Sequence, residues 1–538
     1  MHLTNQSRAG VAVAPHALAA DAAASVLAGG GNAIEACVAM AATLAAVYPH
    51  MTGLGGDSFW LLHEPGGEVR AILGCGRSGT QVERRTYVEA GLAAIPYRGG
   101  FAANTVAGTV SGWQQALAVS RAEWNGRLPL SRLLADAIGY CRDGYPVTAS
   151  QADATAAKLD QLAPQPGFAE VFLRDGKPPA AGDRLTQPAL ANTLQRLAAA
   201  GLEDFYRGAL ADGIARDLAD AGSLLTRDDL AAHRAVAAEP LRLKLGGASV
   251  YTTPPPTQGA ATLMILGQFA RRPDGVAMHE DVDTVHWLVE ATKQAFRLRN
   301  REIRDPALMT LTAESLLCDA QLDALAAAID GDTAAPWGEA HNPADTTWFG
   351  AIDGEGRMVS CIQSIYHEFG SGLVLPASGL CWQNRGAGFS LQPDHPLALK
   401  PNTLPFHTLC PSLALFDDGR RMVFGTMGGD GQPQTQAIVF TRYADYGEPL
   451  AQAVSAPRWL LGRAWGDASD NLKLESRFDP ALVEMLRERG HDIAVLGDYE
   501  EIMGHAGAIV RYPDGLIEGA ADPRSDGATA VADGGASA

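Results

Sequence analysis

Two apolar helical runs that meet at three consecutive glycines constrain the fold of this 538-residue chain more than any other feature. The Ala-rich pattern from Ala17 to Leu27 is helical and stops at Gly29-Gly30-Gly31, which supply the left-handed backbone that ends helices. A second helix starts at once: Asn32 caps it, Glu35 sits in capping-box register, and the apolar run to Val47 is closed by Pro49. Ser58 to Glu64 and Glu68 to Leu73 then flank Pro65-Gly66-Gly67, and their β-branched, aromatic and aliphatic content predicts a hairpin. Helices and a sheet must therefore share one core, the mark of an α/β chain. The apolar run Ala36 to Tyr48 is about two thirds of the roughly 20 residues that a membrane span needs, so no such span follows from it.

From about Ser111 to Leu245 the pattern is mostly helical, broken at Gly144-Tyr145-Pro146, Gly182-Asp183 and Gly201, and reads as a helical subregion. After Tyr251 to Pro256 comes a helix through Ile265, then a long one from about Val282 to Arg304 that Asp305-Pro306 ends. Asp332 to Asp345 carries Gly, Pro, Asn and Asp without periodicity and predicts an exposed, flexible connection. Beyond it, strands on either side of Gly354-Glu355-Gly356 open a β-rich C-terminal third. Residues 528–538 are small and polar and read as a disordered tail.

Lys+Arg 42 against Asp+Glu 61 leaves a formal charge of −19, which argues against nucleic acid or an anionic membrane as the main partner. The seven cysteines are odd in number, widely spaced and form no C-x-x-C pair, so they read as reduced, metal-free thiols. The first residues lack the charged start and apolar stretch of a secretory signal, and a cytoplasmic location is the expectation.

Gly74-Cys75-Gly76-Arg77-Ser78-Gly79 satisfies G-x-G-x-x-G after a strand, but no acidic residue follows at the spacing that a dinucleotide fold requires. G-x-S-x-G, the P-loop and H-E-x-x-H are absent, and Tyr366-His367-Glu368 lacks the second His. Neither cofactor nor metal is expected. What remains is a set of glycine-rich turns and a Thr pair, Thr346-Thr347, that begins a strand directly after the flexible connection. A threonine hydroxyl is a weak nucleophile unless a base lies within reach. Cleavage between Asp345 and Thr346 would place a free α-amino group, with a pKa of about 7.7–8.0, on the same residue. By composition alone an ordinary strand threonine is the plainer reading of Thr346; its surroundings reverse that preference.

Those surroundings include Gly30 to Ala36, Pro49-His50 through Gly55-Gly56, Val106 to Gly112, Asp204 to Gly208 and Pro254-Pro255-Pro256. They continue with Phe369 to Gly372, Gly428-Gly429, Ala456-Pro457-Arg458 and Ala521-Asp522-Pro523-Arg524. In order and spacing the chain resembles the gamma-glutamyltransferase family of N-terminal-nucleophile (Ntn) hydrolases over almost its entire length. The resemblance implies a four-layer αββα sandwich in one domain, with the helical subregion in its larger chain. It implies self-cleavage into residues 1–345 and 346–538, which stay together as an αβ heterodimer, with pairing of these units left open. Thr346 would be the nucleophile, Gly428 and Gly429 the oxyanion donors, and Ser364 stands where the family has a second threonine bonded to the nucleophile.

The glutamyl-binding residues of the family are not retained. Its asparagine falls on Tyr366, its glutamine on Arg385, and the aspartate that grips the substrate amine on Gly388. The serine pair that holds the carboxylate falls on His407-Thr408, and Phe389 to Pro405 is too short for the lid loop. Neutral drift on loops is the plain alternative. The functional reading is a pocket for a substrate without an amine, with Arg385 clamping a carboxylate. Arg77, displaced by two positions from the family's carboxylate-binding arginine, is a second candidate clamp, and His407 a group that polarises a carbonyl. The departures favour the oxamate-amidohydrolase-like branch, acting on a small anionic amide. A gamma-glutamyl hydrolase or transpeptidase with a rebuilt pocket, and a non-catalytic protein that binds an acidic metabolite, stay open.

Overall fold

Along the strand Asp345–Asp353, Trp348 and Ile352 turn to one face and Phe349 and Ala351 to the other. Both faces are apolar, so this strand requires a packed layer on each side. The computed structural model, which describes residues 3–273, 279–338, 345–463 and 469–532, supplies both. One sheet has the order Ala528–Val531, Gly10–Ala14, Asp345–Asp353, Met358–Tyr366, Asp57–His63, Arg70–Gly74, Val236–Ala238. The other runs Thr4–Ser7, Ile517–Ala521, Gly507–Arg511, Arg421–Gly425, Ser412–Phe416, Ala248–Thr252, Leu241–Leu245. Neighbouring strands in both are antiparallel.

Val11, Val13, Phe59, Trp348, Ile362, Val423 and Ile509 fill the seam between the sheets. The helices Ala17–Ala28, Ala33–Val47 and Thr109–Glu123 cover the outer face of the first sheet, and Gly259–Phe269, Val282–Glu302 and Gly431–Ala444 cover the second. This is the expected four-layer αββα sandwich. The strand that begins with Asp345 lies in the middle of a sheet, between Gly10–Ala14 and Met358–Tyr366, so residues on either side of position 345 build one body.

The opening helices form as predicted. Asn32 Oδ1 accepts from the N–H groups of Ile34 and Glu35 at 3.0 and 3.1 Å, and Glu35 Oε2 accepts from Asn32 N at 3.0 Å. All fifteen residues of Ala33–Val47 are buried, as a helix apolar on every side must be. Among the described residues no helix is long and apolar enough to cross a membrane.

Two expectations are corrected. The helical stretch ends at Ala232, and Val236–Ala238 and Leu241–Leu245 are edge strands of the two sheets. Residues 528–531 are not disordered: Ala528–Val531 pairs with Gly10–Ala14, because its small side chains fit the narrow edge beside the helix Ala17–Ala28. Residues 533–538 of the expected tail lie outside the described residues.

The connection before Asp345 is irregular over residues 331–338 but tethered. Lys293 Nζ donates to Ala335 O at 2.6 Å, Arg297 donates to Pro336 O at 2.6 Å, and Ala334 N donates to Arg489 O at 2.8 Å. Residues 339–344 lie outside the described residues.

Candidate active site

Thr346 sits at a break in strand register. Asp345 pairs with Tyr366 and Thr347 with Gln363, so one residue on its own strand faces the two residues Ser364 and Ile365. Such a bulge re-aims a side chain at a sheet end. Thr346 is fully buried, and Thr347 Oγ1 donates to Gln363 O at 2.7 Å. Ser364 Oγ accepts from Tyr366 N at 2.8 Å, and Tyr366 has φ +83, a backbone state that costs a non-glycine residue about 1–3 kcal/mol. Glycines admit the neighbouring chain: a Cβ at Gly56 would lie 2.1 Å from the Ser364 carbonyl oxygen.

The strand Arg421–Gly425 runs under Trp348, whose Cδ1 would meet a Cβ at Gly425 at 2.1 Å. It then enters the turn Gly428-Gly429-Asp430 and the helix Gly431–Ala444. Gly428 and Gly429 have φ +116 and +52. Their carbonyls point back, Gly428 O accepting from Gly431 N at 2.7 Å and Gly429 O from Gln258 Nε2 at 2.7 Å. Among the described residues neither glycine N–H donates to a protein acceptor. Two open donors at a helix N-terminus are suited to a developing negative charge.

Beside them lies a cavity of about 450 Å³ whose walls include Tyr366, Gly388, Phe406, Thr408, Arg299 and Asp430. Asp430 is not a free counter-charge, since its Oδ1 is held by Arg299 at 2.9 Å. Gly388 contributes no side chain, and the nearest heavy atom to a Cβ there would be Tyr366 Oη at 4.0 Å. Behind the wall, Arg385 is 1 % exposed, stacks over the Tyr366 ring at 3.7 Å and donates from Nη2 to Thr408 Oγ1 at 3.2 Å. Its Nε has no partner. Burial lowers its pKa to about 10, against the fields of Tyr366 and Asp57.

Asp57, which sequence reasoning passed over, is the hub of this wall. Its Oδ1 accepts from Gly108 N at 2.9 Å, Gln383 Nε2 at 3.2 Å and Gly76 N at 3.3 Å, and its Oδ2 lies 2.9 Å from His407 Nε2. Burial pushes its carboxyl up to about 7, while Arg385 and the three donors pull it down. His407 is held far below the usual imidazole range by burial and by Arg385, so the contact joins a neutral ring to a carboxyl group. His407 Nδ1 has no partner. The only sequence signal for Asp57 was a carboxylate placed directly after Gly55-Gly56 at the start of an otherwise apolar strand.

Thr346, Ser364, Tyr366, Arg385, His407 and Thr408 are thus carried by neighbouring strands and loops, with Gly428 and Gly429 on the turn beyond. Arg77 is not brought to this cavity. It pairs with Asp305 at 2.8 Å, donates to Asn402 O at 3.0 Å, and lines a separate cavity of about 600 Å³. The two-position displacement seen in the sequence turns its side chain to the far side of the loop.

Among the described residues one set of side chains has ligand atoms close enough for a metal ion, namely His286, Glu290 and His491. Those atoms already serve one another and the tethered connection. His286 Nδ1 lies 2.8 Å from His491 Nε2, His286 Nε2 lies 2.8 Å from Asp330 O, and Glu290 takes Lys293 Nζ at 2.6 Å and Ala335 N at 3.1 Å. This hydrogen-bond chain is complete without an ion.

A family profile described as gamma-glutamyltranspeptidase matches residues 19–532. The oxamate amidohydrolase proenzyme of Klebsiella pneumoniae subsp. pneumoniae is 55% identical over 530 residues, covering 98% of this chain and 100% of that one. A glutathione hydrolase-like proenzyme of Bacillus subtilis is 41% identical over 96% of this chain and 97% of its own length. Among solved structures, the cephalosporin acylase of Bacillus halodurans superposes with a TM-score of 0.90 at 32% identity, covering 99% of this chain and 98% of that one.

Proposed function

The chain belongs to the gamma-glutamyltranspeptidase family and is an amide-bond hydrolase, and from that premise we propose that it acts on a small anionic amide of the oxamate kind through an acyl intermediate on Thr346. The observation that carries this reading is the fully buried Arg385, with an unpartnered Nε, behind a cavity whose wall at Gly388 offers no carboxylate for a substrate amine. A guanidinium in that position prefers a planar anion.

We infer that the chain first cuts itself between Asp345 and Thr346, giving chains 1–345 and 346–538 that remain one αβ unit. The new amine then takes the Thr346 hydroxyl proton as Oγ1 attacks the amide carbon. The N–H groups of Gly428 and Gly429 stabilise the tetrahedral oxyanion. The amine returns the proton to the departing nitrogen, ammonia leaves, and water activated by the same amine releases the acid. Arg385, with Thr408 beside it, holds the substrate carboxylate, and Ser364 orients the nucleophile's hydroxyl. The seven unpaired cysteines support a reducing, cytoplasmic location.

Two measurements test the reading. Intact mass should resolve two chains from wild type and one uncut chain from Thr346→Ala. Processed wild type should release ammonia from oxamate; no ammonia from any short anionic amide sinks the proposal. The glutathione hydrolase-like relative motivates a second substrate class, and p-nitroaniline release from a γ-glutamyl anilide would move the assignment there.

A further inference from the structure

We propose that Asp57 is a specificity-determining residue that sets the charge of the substrate pocket: a proton on its Oδ2 turns His407 to the Nδ1–H tautomer, and His407 and Arg385 then present an anion receptor. The inference rests on the assignment of Arg385 as carboxylate clamp.

The hydrogen-bond geometry permits only two states. Oδ1 of Asp57 faces three N–H donors, none of which can become an acceptor, so a proton can reside only on Oδ2. The partner assigned to Oδ2 is His407 Nε2. When Asp57 is ionised, Nε2 must carry the ring proton and Nδ1 is a bare lone pair. Asp57 and Arg385 then cancel, and the pocket is neutral. When Asp57 is protonated, Nε2 accepts and Nδ1 carries the proton. The trio, which lies behind the cavity wall at Tyr366 and Thr408, then holds one net positive charge with two unpartnered donors, His407 Nδ1–H and Arg385 Nε–H. A carboxylate selects the second state, and binding it takes up one proton.

Burial places the Asp57 carboxyl near neutrality, at about 7, so both states are within reach of physiological pH. Other ionisable groups also face the trio. Burial pushes the Cys75 thiol and the Tyr206 phenol up, and burial with Arg98 and Arg385 pushes His367 far down. Asp430 is held by Arg299, and Asp305 by Arg77. Tyr366 adds its ring face to Arg385.

The test compares processed wild type with Asp57→Asn, whose amide oxygen keeps the three donors and whose N–H donates to His407 Nε2, locking the Nδ1–H tautomer. Above the Asp57 titration, wild-type KM for oxamate should rise by up to about tenfold per pH unit, while the KM of Asp57→Asn stays flat from pH 6 to 9. The kcat of both should rise toward alkaline pH with the Thr346 amine. Calorimetry of oxalate binding at pH 8, in buffers of different ionisation enthalpy, should show proton uptake by wild type and none by the variant. The wild-type half of that experiment stands even where the variant fails to fold. Ammonia release with parallel KM profiles, or oxalate binding without proton uptake, overturns the Asp57 proposal and leaves the reaction intact. No ammonia release together with proton-coupled oxalate binding overturns the reaction and leaves the proton linkage standing.

Discussion

Two buried charge clusters in this molecule solve the same electrostatic problem in different ways. In the first, Arg524 grips Glu475 through Nε and Nη2, both at 2.6 Å, and Asp522 at 3.0 Å, while Arg458 reaches Asp522 at 2.5 Å. Two guanidiniums face two carboxylates, and burial alone would raise the Asp522 carboxyl, yet Arg458 and Arg524 hold it below its ordinary range. This cluster supports the turn at Gly428-Gly429: Arg458 donates to Gly504 O at 2.7 Å, and Gly504 packs against Thr426 and Met427 just ahead of Gly428. In the second cluster, Arg385, Asp57 and His407 are equally buried, and Arg385 Nε and His407 Nδ1 have no partner, as Arg458 Nε has none in the first; the difference is that burial raises Asp57 to about 7, whereas Asp522 is lowered. In the first cluster two guanidiniums balance two carboxylates; in the second a carboxyl pushed toward its neutral form leaves a guanidinium for the proposed substrate anion.

The sharpest way to break this comparison is to open the first cluster. Arg524→Ala leaves Glu475 with only the Arg477 guanidinium at 3.5 Å and Asp522 with Arg458 alone, and should destabilise the protein by about 3–5 kcal/mol in chemical denaturation. A loss as small as that of a surface ion pair would mean that this cluster carries no structural load. Opening the second cluster should act on binding. Arg385→Gln should raise KM for oxamate by roughly ten- to a hundredfold, the equivalent of about 1.5–3 kcal/mol for a hydrogen bond to a charged group, with a much smaller change for a neutral amide. Equal losses for both substrates would make Arg385 structural.

The clusters also tilt the pH dependence of stability in opposite senses. Asp522, lowered in the fold, contributes stability that is present above the ordinary carboxylate pKa and lost as pH falls through its folded value. Asp57, raised to about 7, contributes stability that is fully present below its unfolded pKa and lost as pH rises through about 7. Asp57→Asn should therefore lose less stability than wild type between pH 6 and 9. A wild-type melting temperature that falls no more steeply over that range than the variant's would contradict it. The smallest expected effect lies far from both clusters: Asn32→Ala removes the capping box and should cost about 1 kcal/mol with kinetics unchanged.

The parts of this molecule that were legible in the sequence share a short range. The Asn32 cap, the hairpin at Pro65-Gly66-Gly67 and the strand opening at Thr346 are set by residues within a few positions of one another. Glycines signalled the close approaches at Gly56 and Gly428-Gly429, because the backbone there admits no Cβ or needs positive φ. The reading of residues 528–531 as a tail failed for the complementary reason. A run of Ala and Thr has no periodicity of its own and becomes a strand only because Gly10–Ala14 offers an open edge. Arg77, two positions away from the family's carboxylate-binding arginine in sequence, pairs with Asp305 instead.

By itself the sequence determined the layered class, the element boundaries near caps and turns, and the identity of a threonine poised at a strand start. Only the tertiary structure decided which charges meet. Asp57 and His407 are 350 residues apart, and Arg299 and Asp430 are 131 apart. Local propensity acts over a helical turn or a hairpin, whereas the partner of a buried charge is chosen by the packing of whole sheets. That choice paired two guanidiniums with two carboxylates in one cluster and set Arg385 beside a near-neutral Asp57 in the other.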